Sequence, residues 1–245
     1  MTRKLTYLSY LKEDLLPTEW CPGCGNGIVL KLVCQSMEKL NFPKKGTVVV
    51  SGIGCSGRSA GFFNLDSVHT AHGRALPVAE GIKLANEKLN VIVISGDGDL
   101  LGIGGNHLLH ATRRNTDINI ICIANAIYGM TGGQYSPTTE VGSKTLTTPS
   151  GNTDLPINVQ ALVKAHNCFY ARSTTYHLKH AAQCIDGALE HKGLSFVEVK
   201  TQCITNDGRR RGFKNGYEML MSYKDDYKIN DKSSELEHDE IGIIK

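Results

Sequence analysis

Two polar residues, Asp97 and Asn125, each end a short apolar run of the chain. Asp97 lies between two glycines directly after the run 91–95, and Asn125 closes the run that begins at Ile118. A carboxylate, an amide oxygen and a nearby backbone carbonyl, such as that of Ile127, suit a small hard cation. Mg²⁺ held in this way keeps sites for water and ligand phosphates. The pair therefore predicts a Mg²⁺-diphosphate site, with an ordinary strand-exit turn as the alternative explanation of Gly-Asp-Gly.

A glycine-rich stretch, residues 128–134, follows Asn125. Glycine has no Cβ, so the backbone N–H groups of such a loop can approach phosphate oxygens closely. We interpret the stretch as part of the same diphosphate site. The polar segment Thr131 to Pro156 continues it and is rich in Thr, Gly, Ser and Pro. This segment is predicted to be an ordered functional loop or lid, because more core-like sequence follows it.

The eight cysteines fall into two groups. Cys21 and Cys24 are two residues apart in a glycine-rich loop, a spacing that can clamp a metal but also occurs in redox pairs and half zinc sites. Cys55 and Cys203 each follow a predicted strand and complete a set of four thiols. Such a set suits [4Fe–4S] or Zn²⁺ about equally on ligand grounds. The other four lie in apolar or helical stretches and are interpreted as core residues: Cys34, Cys122, Cys168 and Cys184.

Four further side chains are candidates for contact with a substrate or cofactor. Arg58, three residues after Cys55, could recognise a distal substrate carboxylate through its planar guanidinium, or serve only at the surface or in positioning a phosphate. Met130 could line the same pocket or simply fill space. His69 and His72 could stabilise charge or shuttle a proton, with a structural role as the alternative.

The apolar runs that carry these residues are short, β-branched and bounded by turn residues, which is typical of buried parallel strands. Strands are predicted at Thr47–Ser51, 91–95, 118–125 and Ser195–Val199. Helices are predicted at Ile28–Leu40, Leu76–Leu89, Ile103–Asn115, Val159–Ala165 and Leu178–His191. A right-handed crossover brings Asp97 and Asn125 to the carboxyl edge of neighbouring strands, where open α/β sheets bind ligands. The predicted fold class is α/β, with an open, mostly parallel sheet flanked by helices.

Length and composition indicate a soluble globular protein. The chain has 245 residues, of which 40% are hydrophobic and 21% are charged. A net charge of +3 without a basic stripe argues against nucleic-acid binding, and no apolar run is long enough to cross a membrane. The N-terminus has no signal-like apolar core, so the cysteines are expected as thiols in a cytoplasmic protein. Residues 1–205 are assigned to one domain, and residues 206–245 to an arm that docks on something or is partly disordered.

Several motifs, in the order found here, resemble those of a known family. Gly96-Asp97-Gly98-Asp99 together with Asn125 resembles the diphosphate-binding motif of thiamine diphosphate enzymes. With the segments 21–24, 52–58, 69–74 and 127–134, the chain resembles the β subunit of the 2-oxoacid:ferredoxin oxidoreductases over roughly residues 18–206. Ala124 stands where many thiamine enzymes have a first asparagine, and Asn125 aligns with the second, which is the metal ligand.

The resemblance implies a thiamine diphosphate-binding fold and a set of ligands. Mg²⁺ is expected on Asp97, Asn125 and the Ile127 carbonyl, and His72, Arg58 and Met130 are expected at the reacting substrate. A [4Fe–4S] cluster is expected on Cys21, Cys24, Cys55 and Cys203. The residues expected to bind thiamine diphosphate are Ile53, Gly54, Cys55, Ser56, His72, Gly73, Gly96, Asp97, Gly98, Asp99, Asn125, Ile127, Gly129 and Thr131.

The resemblance also implies an activity, the oxidative decarboxylation of a 2-oxoacid with coenzyme A to acyl-CoA and CO₂, with electrons passing through the cluster to ferredoxin. In this family a basic residue at the position of Arg58 goes with 2-oxoglutarate, which is therefore the expected substrate. An α subunit supplies the glutamate that contacts the aminopyrimidine ring, so a hetero-oligomer is expected, with or without further small subunits. The alternatives are a pyruvate, branched-chain or aryl-pyruvate enzyme, a non-redox thiamine diphosphate decarboxylase, and a Cys₄ zinc scaffold.

Overall fold

The computed structural model describes residues 6–244. Its α-helices are α1 (Asn26–Lys39), α2 (Ser59–Phe62), α3 (Ala75–Ala85), α4 (Gly105–Arg114), α5 (Val159–Lys164), α6 (Leu178–Glu190) and α7 (Gly216–Asp226). Its strands are β1 (Thr47–Ser51), β2 (Asp66–His69), β3 (Asn90–Gly96), β4 (Asn119–Ala124), β5 (Ile127–Tyr128), β6 (Gln134–Tyr135), β7 (Phe169–Thr174), β8 (Ser195–Lys200), β9 (Lys228–Ile229) and β10 (Glu240–Ile244). None of the helices formed by the described residues has the length and hydropathy of a membrane span.

Eight of the strands form one sheet, in the order β2–β1–β3–β4–β8–β7–β10–β9. The pairings from β2 to β7 are all parallel, whereas β10 runs antiparallel to β7. β5 and β6 form a separate antiparallel hairpin. The predicted open and mostly parallel sheet is confirmed, and its β-branched central strands suit burial on both faces.

Apolar side chains cover both faces of this sheet. Successive residues of a strand point to opposite faces. Ile92 and Ile94 of β3 join a cluster with side chains of α1 and α6, whereas Val91 and Val93 join a cluster with side chains of α3, α4 and α5. The sheet is therefore held between two helical layers, and its carboxyl edge is a rigid support for the side chains that follow the strands.

The carboxyl edge of the central strands carries the two residues that the sequence singles out. β3 leads into Asp97 and its parallel neighbour β4 leads into Asn125, as predicted. The predicted crossover helix is divided into a π-helical turn, Gly98–Ile103, and α4. Asn115 caps the C-terminus of α4 and adopts the left-handed conformation with a φ of 48°. The βαβ unit is thus formed, and its helix begins with a wider, π-helical turn that periodicity does not predict.

The residues after 205, predicted as a docking arm, form regular secondary structure that pairs with the sheet. They form a π-helical turn, α7 and two strands, and β10 extends the sheet along β7. Ile241 and Ile244 are buried, which accounts for apolar residues in an otherwise charged segment. The Arg172 guanidinium also donates to the backbone carbonyls of Glu237 and Glu240. The C-terminal segment therefore adds two strands to the sheet, and its assignment as an arm that docks onto another chain stays a prediction.

The polar segment 131–156 is irregular but ordered. β6 returns it onto β5, so that the segment folds back over the carboxyl edge of the sheet. The buried side chain of Asn152 donates through Nδ2 to the carbonyls of Thr139 and Asp154 and holds the loop together. The segment thus has the internal anchoring of a functional loop.

Candidate active site

Asp97 lies at the carboxyl end of β3 and is 2% exposed. Its Oδ1 accepts a hydrogen bond from the backbone N–H of Asn125 at 3.4 Å. Its Oδ2 accepts hydrogen bonds from the hydroxyls of Ser136 at 2.8 Å and Thr138 at 2.5 Å. Burial raises the pKa of Asp97, and the hydroxyls of Thr138 and Ser136 offset part of that rise. A carboxylate that has lost its hydration in this way is stabilised by a bound cation.

The turn Asn125–Ala126–Ile127 presents the two other expected Mg²⁺ ligands. Ala126 has a φ of 56°, in the left-handed region, which is unfavourable for a residue with a Cβ. Its carbonyl accepts a hydrogen bond from Thr139 Oγ1 at 2.6 Å. Asn125 Oδ1 accepts a hydrogen bond from the backbone N–H of Ile127 at 3.2 Å. These two bonds hold the strained turn in the conformation that the site needs.

Three hydroxyl residues that hold these groups were not predicted from the sequence. Ser136, Thr138 and Thr139 are all buried and follow β6 in the polar loop. The Ser-Pro-Thr-Thr sequence itself was the available signal, because it concentrates hydroxyl groups in one short turn. Only the return of the loop over the sheet edge shows that these hydroxyls contact Asp97 and Ala126.

Asp99 connects several parts of the same edge. Its carboxylate accepts hydrogen bonds from the backbone N–H groups of Ile53 at 3.0 Å and Gly73 at 2.7 Å, and from Ser95 Oγ at 2.8 Å. It also lies 2.5 Å from His72 Nδ1. Because Nδ1 is engaged by Asp99, Nε2 is the ring nitrogen that remains for a ligand. Asp99 therefore orients His72 and fixes the two loops that follow β1 and β2.

A cavity of about 110 Å³ lies beside Asp97, and we name it the diphosphate cavity. Its lining includes every residue expected to bind thiamine diphosphate except Gly73, whose N–H is bonded to Asp99. Tyr128 also lines the cavity and was not predicted. Its ring packs on Gly98, where a Cβ would come within 2.3 Å of the ring, and its hydroxyl donates to the Gly98 carbonyl at 3.2 Å. The glycine is therefore required by the tyrosine as well as by the turn.

The four thiols expected to bind a cluster line a second cavity, of about 290 Å³, which we name the thiol cavity. Cys21 is exposed, and Cys24, Cys55 and Cys203 are partly buried. Burial raises the pKa of Cys203 to about 11 and also raises the pKa of Cys24 and of Cys55. A metal centre would compensate for that desolvation and favour the thiolates. Within residues 6–244, no three His, Cys, Asp or Glu side chains converge closely enough to hold a single ion.

The diphosphate cavity and the thiol cavity adjoin. Cys55, Asn125, Gly129 and Met130 line both of them. Gly129 allows this close approach, because a Cβ at its position would lie 3.2 Å from Cys203 Sγ. The candidate Mg²⁺ ligands and the candidate cluster ligands therefore lie in cavities that share a wall.

The other cysteines are core residues, as expected. Cys34 and Cys184 belong to the apolar cluster on one face of the sheet, and Cys122 and Cys168 belong to the cluster on the other face. Burial raises the pKa of Cys34 to about 12. A buried thiol of this kind stays neutral and unreactive.

Arg58 lies outside the diphosphate cavity. It lines the thiol cavity and also a third cavity of about 410 Å³, the outer cavity, together with Met130 and His69. Its guanidinium forms an ion pair with Glu19, and the two side chains are 49% and 64% exposed. Such an exposed pair contributes little stability, so another carboxylate can replace Glu19. Met130 is 46% exposed and lines all three cavities.

The fold and its carboxyl edge define a thiamine pyrophosphate-binding domain, and residues 52–199 match the C-terminal TPP binding domain of the thiamine pyrophosphate enzymes. The chain is 44% identical over 245 residues to the 2-oxoglutarate synthase subunit KorB of Archaeoglobus fulgidus, covering 99% of this chain and 90% of that one. It is 45% identical over 240 residues to the subunit of the same name from Methanothermobacter thermautotrophicus, covering 98% and 84% of the two chains. The chain belongs to the 2-oxoacid:ferredoxin oxidoreductase family, as a β subunit.

A solved structure has the same fold over nearly the whole chain. It is the 2-oxoglutarate:ferredoxin oxidoreductase from Magnetococcus marinus with 2-oxoglutarate, coenzyme A and succinyl-CoA bound. The TM-score is 0.86 and the sequence identity is 32%, and the match covers 97% of this chain and 84% of that chain.

Proposed function

We propose that the chain is the catalytic β subunit of a 2-oxoglutarate:ferredoxin oxidoreductase. The reaction converts 2-oxoglutarate and coenzyme A into succinyl-CoA, CO₂, one proton and two electrons, and ferredoxin accepts the electrons. The observation that carries the proposal is the shared wall of the diphosphate cavity and the thiol cavity. A carbon centre in the first cavity and an electron acceptor in the second would face each other across this wall.

Thiamine diphosphate, when bound, supplies a carbanion that attacks the keto carbon and a cationic ring that accepts the electrons left by CO₂. Asp97, Asn125 and the Ile127 carbonyl would hold Mg²⁺ against its diphosphate. The residues fit this role, because Asp97 is a buried carboxylate with one oxygen engaged by Ser136 and Thr138. His72 would hold or move a proton at Nε2, since Asp99 engages its other ring nitrogen.

Cys21, Cys24, Cys55 and Cys203 would hold a [4Fe–4S] cluster in the thiol cavity. The lining of this cavity contains four cysteine thiols and no histidine, a ligand set that suits an iron–sulfur cluster. The cavity also has room for a centre larger than one ion. All eight cysteines of the chain are free thiols, which suits a reducing compartment, and we place the protein in the cytoplasm on that ground.

Arg58 would bind the distal carboxylate of 2-oxoglutarate. Its ion pair with Glu19 is exposed, so the substrate carboxylate can take the place of Glu19 at low cost. Met130 lies between Arg58 and the diphosphate cavity, because it lines the outer cavity and the diphosphate cavity together. A dicarboxylate can therefore extend from Arg58 past Met130 toward the reacting centre, whereas pyruvate has no group for Arg58.

The chain would act in a complex with an α subunit. The names of its relatives are those of subunits, and the expected glutamate on the pyrimidine side of the cofactor comes from another chain in this family. Ferredoxin and coenzyme A complete the set of partners, with or without further small subunits. Nucleic acid and membrane are not among them.

The test is an assay of the complex, co-expressed with its α subunit and purified without oxygen. We expect a brown protein with roughly four iron atoms per β chain that reduces ferredoxin only when 2-oxoglutarate and coenzyme A are both present. A colourless protein with stoichiometric zinc would contradict the proposal in favour of a Cys₄ scaffold. Release of CO₂ without any reduction of ferredoxin would instead indicate a non-redox decarboxylase.

A further inference from the structure

Asn26 opens α1 directly after the Cys21–Cys24 loop and is 1% exposed. An asparagine at the start of a helix commonly accepts hydrogen bonds from the first backbone N–H groups. The Asn26 side chain instead acts as a donor, and its Nδ2 donates to Cys24 Sγ at 3.0 Å. Its Oδ1 is buried and has no hydrogen-bond partner among the described residues.

A buried amide with one unpartnered oxygen is destabilising, because that oxygen has lost its hydration and gained nothing in exchange. A leucine of similar volume would avoid this cost. Packing alone therefore does not account for an asparagine at position 26, whereas the hydrogen bond to Cys24 does.

Asn206 provides a comparison on the same cavity. It also lines the thiol cavity, but its Nδ2 donates to the Gly129 carbonyl at 2.6 Å. Its side-chain amide thus holds the loop between the two cavities and donates to a carbonyl oxygen, not to the sulfur of Cys203. The orientation of Asn26 toward a sulfur is therefore specific to that position.

We propose that Asn26 raises the reduction potential of the cluster held by Cys21, Cys24, Cys55 and Cys203, an inference that rests on the proposed function. Reduction adds one electron to the cluster and places more negative charge on its sulfurs. N–H donors stabilise that charge more in the reduced than in the oxidised state. The electron comes from oxidation of the 2-oxoacid and leaves to ferredoxin. Asn26 touches no reacting atom and acts as a positioning residue. By setting the potential of the cluster, it sets the free energy of electron transfer from the 2-oxoacid to the cluster and from the cluster to ferredoxin.

The test is redox potentiometry of the oxygen-free complex, followed by EPR of the reduced cluster, for wild type, Asn26→Leu and Asn26→Asp. Loss of the donor in Asn26→Leu should shift the reduction equilibrium about tenfold toward the oxidised cluster, which is about 59 mV for a one-electron couple. Asn26→Asp places a carboxylate oxygen against the sulfur and should lower the potential at least as far. Asn206→Ser is the matched control and should leave the potential unchanged.

Unchanged potentials in both Asn26 variants, with the cluster intact, would overturn the inference and leave the proposed function standing. A wild-type complex without iron would overturn the proposed function itself. Where neither variant retains the cluster, ENDOR spectroscopy of reduced wild-type protein labelled with [amide-¹⁵N]asparagine tests the same contact. A ¹⁵N coupling to the cluster supports the inference, and its absence overturns it.

Discussion

Thr138 Oγ1 lies 2.5 Å from Asp97 Oδ2, although 41 residues separate the two in the chain. Ser136 donates to the same oxygen, and Thr139 holds the carbonyl of Ala126. One loop therefore fixes both sides of the proposed Mg²⁺ site. Among residues 6–244, Asp97 Oδ1 accepts only the 3.4 Å bond from the Asn125 backbone, so it is the oxygen that is available to a metal.

Replacing Thr138 by valine should weaken Mg²⁺ binding. Valine keeps the shape of threonine but removes the donor, and a hydrogen bond to a charged group contributes about 1.5–3 kcal/mol, which corresponds to about tenfold or more in affinity. The measurement is calorimetric titration of Mg²⁺ in the presence of excess thiamine diphosphate. Thr145→Val is the control, because Thr145 is buried in the same loop and bonds to Thr148 instead. Equal affinities for both variants would show that the loop does not position Asp97.

Asp97→Asn should weaken the binding of Mg²⁺ and of thiamine diphosphate at least a hundredfold, because a full negative charge is removed from the metal site. Burial raises the pKa of Asp97, so its ionised form destabilises the metal-free fold at neutral pH. The variant without metal should therefore melt at the same temperature as wild type or higher. Calorimetric titration and thermal unfolding followed by circular dichroism measure the two effects. Unchanged cofactor binding would reject Asp97 as the metal ligand.

Arg58→Leu should raise KM for 2-oxoglutarate at least tenfold and change KM for pyruvate less than twofold. The reason is that only 2-oxoglutarate has a distal carboxylate, which the planar guanidinium can bind through two parallel hydrogen bonds. Steady-state ferredoxin reduction with each substrate is the measurement. Glu19→Gln is the matched variant, because it removes the competing carboxylate and should leave KM for 2-oxoglutarate unchanged or lower. An equal rise in KM for the two substrates would show that Arg58 does not select 2-oxoglutarate.

Glu198→Gln should destabilise the fold in a way that depends on pH. Burial opposes ionisation of Glu198, but Lys200 at 2.7 Å and Arg172 at 3.1 Å outweigh burial and lower its pKa from 4.5 to about 2. A lowered pKa stabilises the folded state above pH 4.5, by about 3 kcal/mol for this shift, and that contribution is lost as the pH falls toward 2.

The measurement is the free energy of unfolding in urea at several pH values for wild type and Glu198→Gln. The difference in free energy of unfolding between the two proteins should be largest near pH 7 and should decrease as the pH falls from 4.5 to 2. Asp239→Asn is the control, because its ion pair with Lys228 is exposed and should contribute little at any pH. A difference that is constant with pH would show that the ionisation of Glu198 does not stabilise the sheet.

The site residues that come immediately after a strand could be predicted from the sequence. Asp97 and Asn125 each come immediately after a β-branched run, so a local pattern is enough to place both at one edge of a parallel sheet. The contact of Thr138 with Asp97 could not be predicted in the same way. It depends on the path of a long irregular loop, and no periodicity encodes that path.

The C-terminal strand β10 shows a second limit. Its sequence is short and lies in a charged segment, so composition favoured an arm. Its pairing with β7 depends on the free edge of that strand and on Arg172, which reaches the carbonyls of Glu237 and Glu240. Partners of this kind are distant in sequence, and only the assembled sheet brings them together.

In the proposed reaction, electrons pass from the substrate at the diphosphate cavity to a cluster in the thiol cavity. EPR spectroscopy of the oxygen-free complex, frozen after addition of 2-oxoglutarate and coenzyme A without ferredoxin, tests this most directly. We expect the signal of a reduced [4Fe–4S] cluster in wild type and no such signal in Asp97→Asn, whose iron content should be unchanged. An iron-containing wild-type complex that gives no such signal with 2-oxoglutarate, yet is reduced by dithionite, would contradict it.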